Sequence, residues 1–172
     1  MMRTLIITLS IPVLFTFGCG EEEPSGDATN GWRATQLAIG QSQGDWADVA
    51  VDGSLDVDLD CAGGGSYRVV GSYSDDQAFD LTLEFDGCAA EDVVIDGALS
   101  MHAEVEVSEN STRVAVSYDG ELSWSGAANG SCGINATALV AVQSDGESSE
   151  VDVEFHGEIC GYDADAVVHA ST

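Results

Sequence analysis

Three histidines set among a large surplus of carboxylates are the residues of this chain best equipped for chemistry. His102, His156 and His169 supply imidazoles, and Glu154 and Glu158 stand close to His156 in sequence. Imidazole nitrogens and carboxylate oxygens are ligands for zinc and copper. If the last two strands form a hairpin, His156 and His169 come near each other and a metal set can be written. With 31 acidic residues in the chain, however, a carboxylate beside any histidine is expected by chance, so no metal site is assigned. Asp56, Asp58 and Asp60 have the alternate spacing with which a calcium loop begins. Yet Cys61 stands where that loop needs Gly for its turn, and no suitable Glu closes it. The chain has many serines, but none in a Gly-x-Ser-x-Gly elbow. Carboxylate pairs for glycoside hydrolysis cannot be singled out where acids are everywhere. Gly63-Gly64-Gly65 lacks the following helix and the Lys of a phosphate cradle; it reads as a flexible loop. The expectation is a protein without catalytic residues, metal or cofactor, and not an enzyme.

The cysteines carry a clearer signal. Arg3 provides a positive start, and Leu5 to Phe17 is an apolar run shorter than the roughly 20 residues that span a bilayer. That length suits the hydrophobic stretch of a signal peptide. No Ala precedes Ala28, so the usual small-x-small cleavage site with alanines is missing, whereas Gly18 stands directly before Cys19. In these residues the N-terminus resembles bacterial prolipoproteins, although Thr16 occupies a position where that pattern prefers an aliphatic side chain. The resemblance implies that residues 1–18 are removed and that Cys19 becomes a lipidated first residue. The implied address is the bacterial cell envelope, at the outer membrane, with the membrane as a partner through the anchor. Residues 19–31, with Glu21-Glu22-Glu23 and no apolar side chain larger than Ala or Pro after the cysteine, read as a flexible acidic tether.

Four basic residues, all Arg, oppose the 31 acids, for a formal net charge of −27. Such a surface repels phosphate backbones, which excludes nucleic acid as a partner. The acidity reads as a solvated face rather than as a cation site. About 140 residues from Trp32 to Thr172 remain for one domain with a core of useful size.

The elements that must carry these residues are strands. Phe79, Leu81, Leu83 and Phe85 alternate with Asp80, Thr82, Glu84 and Asp86, the period of a strand with one face buried. The same alternation runs through Leu55–Leu59, Val114–Tyr118 and Val151–Phe155. Polar turn signals at 74–77, 108–111 and 144–147 separate these runs as short antiparallel connections should. Three Asp-Gly pairs, ending at Gly53, Gly97 and Gly120, look like hairpin turns. Because the apolar parity passes through them unbroken, bulges or bends within long strands are expected instead. No sustained helical repeat is evident.

A weak two-fold repeat sets the disulfides. Phe85-Asp86-Gly87-Cys88 recurs loosely in Phe155 to Cys160, and Cys61 and Cys132 precede those cysteines by 27 and 28 residues. Each interval reads as strand, polar turn, strand, with the turn at its midpoint. The cysteines of each pair therefore flank the open end of a hairpin, where strands about 5 Å apart allow a bridge. Cys61 is expected to pair with Cys88, and Cys132 with Cys160. The predicted fold is all-β: an antiparallel meander of eight or nine strands, either an up-and-down barrel or a strongly curved open sheet, with two disulfide-stapled hairpins over residues 32–172. The expected role is that of a non-enzymatic lipid-anchored envelope protein, structural or interacting. The alternative is a lipocalin-like carrier of a small apolar ligand; no particular protein or ligand partner is indicated.

Overall fold

The structure is a computed structural model and describes residues 23–47, 53–73, 78–108, 111–144 and 149–172. Cys19, the signal segment and the turn residues 74–77, 109–110 and 145–147 lie outside the described residues. Among the described residues eight strands form a single sheet in strict sequence order: β1 (Ser54–Asp60), β2 (Ser66–Tyr73), β3 (Phe79–Ala90), β4 (Val93–Val107), β5 (Ser111–Gly126), β6 (Gly130–Ser144), β7 (Ser149–Ile159) and β8 (Tyr162–Asp163). All neighbours are antiparallel. The sheet is open, since β1 and β8 lie at its opposite edges, so the meander is realised without a barrel lumen.

The alternating apolar residues do what their period dictates. Tyr67, Val69, Leu83, Ile95, Leu99 and Leu122 are fully buried on one face, where Tyr67 stacks on Phe85 at 5.3 Å between ring centroids. Gly97 and Gly120 lie inside β4 and β5, paired with Leu122 and Leu99, so these two Asp-Gly pairs continue their strands as expected. Gly53 instead immediately precedes β1. A bulge does occur, in β3 between Phe85 and Cys88. There Gly87 takes a left-handed conformation and its N–H donates to the Asp96 carboxylate at 2.8 Å. Both expected disulfides are present, with Cα–Cα distances of 5.4 Å for Cys61–Cys88 and 4.4 Å for Cys132–Cys160. They staple the open ends of the β2–β3 and β6–β7 hairpins.

Two helices were not announced by the periodicity. α1 (Gly26–Ala47) begins inside the segment read as a tether, and α2 (Ala164–Ser171) ends the chain. Ser25 caps α1 by accepting the Ala28 N–H at 3.2 Å, and Asp163 caps α2 by accepting the Ala166 N–H at 3.1 Å, each satisfying an otherwise orphaned donor. The buried side of α1 carries Ala28, Gly31, Trp32, Thr35, Ala38 and Ile39, a helical spacing built largely from small residues. Small side chains let the helix backbone approach the sheet closely, which is how a stretch with no large apolar residue before Trp32 still packs. Trp32 meets Tyr118 edge-on at 5.6 Å. α2 adds Ala164 and Val167 to the same core.

The Gly63–Gly65 segment is also tied down rather than flexible. Gly63 N–H donates to the Ala89 carbonyl at 3.0 Å, Ala89 N–H to that of Gly64 at 2.8 Å, and Cys61 N–H to that of Gly65 at 3.1 Å. Gly65 has φ +72°, and a Cβ there would collide with the Gly87 carbonyl. Gly63, where a Cβ would crowd the Ala89 carbonyl, and Gly65 are needed for this close approach.

Candidate functional site

The polar face of the sheet brings the chemistry-bearing residues into one row. Register places Asp80 opposite His102, His102 opposite Ser117, Ser117 opposite Thr137, and Thr137 opposite His156. The row thus crosses β3 to β7 on the face away from the helices. His102 Nδ1 lies 2.6 Å from Asp80 Oδ1, and its Nε2 lies 3.4 Å from Glu104 Oε1. Ser117 Oγ and Thr137 Oγ1 are hydrogen-bonded at 3.2 Å. His156 Nε2 is 3.4 Å from Glu154 Oε2.

This geometry favours a charged imidazole at His102. The hydrogen bonds to Asp80 and then Glu104 raise its pKa above the ordinary histidine range. Because the folded value is raised, the stabilisation by this contact is complete below the unfolded pKa and is lost as pH rises through the folded one. In an NMR titration the His102 ring should turn over at higher pH than a free histidine, whose pKa is about 6.5. Asp80→Asn should move that midpoint downward. An unchanged midpoint would show that the Asp80 contact does not form in solution.

A Ser-His-Asp relay requires a ring nitrogen aimed at the nucleophile. Here both His102 nitrogens face carboxylates, and the Ser117 hydroxyl engages Thr137. His102 is half exposed, so water screens the row. Among the described residues no three His, Cys, Asp or Glu side chains converge as a metal site. His156 and His169 do not meet: His169 sits on α2, which packs on the core face, and its ring lies 3.3 Å from Asp165 and 3.0 Å from that residue's carbonyl oxygen. Asp56, Asp58 and Asp60 are exposed along β1. Two Arg68 nitrogens hold Asp56 at 2.8 Å each, and this donor pair lowers its pKa.

Beside the row, the polar face carries a groove of about 480 Å³, walled by Glu104, Glu106, Asp152, Glu154 and Arg113, with Leu139 and Ala141 also in its lining. The opposite face over the same strand ends is apolar and bare. Val107 is 67 % exposed, Val151 59 % and Val153 45 %. Lengths explain why. β5 has 16 residues and at about 3.3 Å per residue reaches roughly 50 Å. α1 has 22 residues, about 33 Å at 1.5 Å each, and α2 has 8, about 12 Å. Gly31 abuts Trp124 and Trp32 meets Tyr118, and among the described residues no helix contact reaches the exposed valines. Alternation in the sequence placed Val151 and Val153 on the core face, Val107 was not singled out, and the sequence had no means of showing that nothing among the described residues covers them.

Comparison with known proteins found no matching family model, and no curated protein or solved structure that matches significantly.

Proposed function

We propose that this chain is a lipid-anchored lipoprotein of the bacterial cell envelope, at the outer membrane, whose folded domain acts without catalysis by presenting a surface to a partner. The observation that supports the interaction role is the valine face that the described residues leave uncovered, because contiguous exposed apolar surface marks a site of interaction. The anchor rests on Arg3, the Leu5–Phe17 run and the Gly18-Cys19 junction. No helix of the described residues is long and apolar enough to cross a membrane. The acidic surface also supports a non-nucleic-acid partner.

Cells fed a labelled fatty acid should incorporate it into this protein, and Cys19→Ser should abolish both the label and partitioning into detergent. Label retained by the Cys19→Ser protein would overturn the anchor assignment.

A further inference from the structure

We infer that the outer edge of β7 is a strand-addition site for an extended polypeptide segment in which aliphatic residues alternate with Lys or Arg. The inference rests on the reading of the domain as an interaction module and names its partner class. β8 pairs with β7 only at Glu158 and Ile159. Among the described residues nothing pairs with the outer edge from Ser149 to Gly157. Such an edge offers a row of backbone donors and acceptors to an incoming strand.

The two faces of this edge specify the occupant. Val151 and Val153 project on the apolar side and are 59 % and 45 % exposed. They adjoin Val142 and Val140 of β6 through their register, so a ninth strand with aliphatic residues in phase would extend that surface. Asp152 and Glu154 project on the polar side, both exposed and lining the groove, where four carboxylates outnumber the single Arg113. Opposite-charge cross-strand pairs stabilise a sheet and like charges oppose it, so basic residues fit best in that phase of the incoming strand. The chain's own charge of −27 argues against a second copy, because β7 paired with itself about Val153 would set Asp152 against Glu154. The other edge differs: Leu55 of β1 is buried, and Val57 and Leu59 are half-buried against the core, leaving little apolar surface for a new strand to cover.

The test uses the purified full-length protein in one non-ionic detergent, with capped peptides of about ten residues, a length typical of a long strand. One peptide alternates Val and Lys, one alternates Val and Glu, and one has the Val–Lys composition with the alternation broken. Hydrogen exchange at the outward amides of residues 150–157 should slow at least about tenfold with the alternating Val–Lys peptide and stay unchanged with the other two. Asp152→Lys with Glu154→Lys should reverse the preference toward the Val–Glu peptide. Equal protection by the broken-alternation peptide would reduce the effect to bulk charge attraction and overturn the site. So would protection at β1 instead, or concentration-dependent protection of β7 without peptide, which would assign the edge to a second copy. Fatty-acid labelling is blind to this edge, so the anchor and the strand site fail separately. Lysate partners bound by both the parent and a Val151→Lys, Val153→Lys protein would place the interaction elsewhere on the domain and also overturn the β7 site.

Discussion

Replacing Cys132 and Cys160 together by alanine should lower the unfolding free energy by about 3–4 kcal/mol, the loop-closure value for a separation of this size. The bridge closes 28 residues, and domains of ordinary stability hold only about 5–15 kcal/mol in total. Its position adds a local effect. Cys160 follows β7 and has a left-handed backbone at φ +56°, an uncommon conformation for a residue with a side chain. Its N–H donates to the Gly133 carbonyl at 2.8 Å, and β8 and α2 follow directly. Loss of the bridge should therefore speed exchange at the α2 amides around Val167, before the sheet itself opens. The Cys61–Cys88 bridge, at the other hairpin, should survive intact in non-reducing peptide mapping. Urea unfolding gives the magnitude, and a loss below about 1 kcal/mol would mean that the unfolded chain is not constrained as the entropy model requires.

That both bridges were legible in the sequence, while both helices were not, has a physical basis. Period-two alternation is a strong signal when large aliphatic residues face Asp, Glu and Thr, as from Phe79 to Asp86. The centring of each cysteine pair on a polar turn then fixes the partners. α1 offers no such contrast. Its buried side is mostly Ala, Gly and Thr, and its outer side includes half-buried Thr29 and exposed Gly40, so the segment before Trp32 reads as a polar linker although it forms the first turns of a packed helix. Ala28 is 2 % exposed there, and Asp27 accepts the Asn129 N–H at 2.9 Å. Strand pattern also leaves closure undecided. An inward-facing apolar row serves a barrel or a helix-covered open sheet equally well, and the choice falls to helices whose pattern is faint. The polar row follows the same logic: alternation puts His102 and His156 on the polar face, but only register across β4, β5, β6 and β7 aligns them.

The close approach of α1 makes two glycines of one helix respond in opposite directions. A Cβ at Gly31 would overlap the ring of Trp124, whereas at Gly40 nothing lies within 4 Å. Helix propensity alone favours Ala over Gly by about 1 kcal/mol at both positions. At exposed Gly40 that preference stands, and Gly40→Ala should stabilise by about 0.5–1 kcal/mol. At Gly31 the added methyl group must push the helix or the indole away. Trp124 is 5 % exposed in the same core cluster as Trp32, so movement disturbs a packed layer. Overpacking of this kind costs about 1–3 kcal/mol, and Gly31→Ala should be net destabilising in spite of the better helix former. Gly31→Leu should cost more and shift the near-ultraviolet signal of the tryptophans, because it cannot be accommodated without separating α1 from β5. Thermal unfolding of the three variants against the parent decides it: if Gly31→Ala raises the melting temperature as Gly40→Ala does, α1 does not pack on Trp124 through its small-residue face.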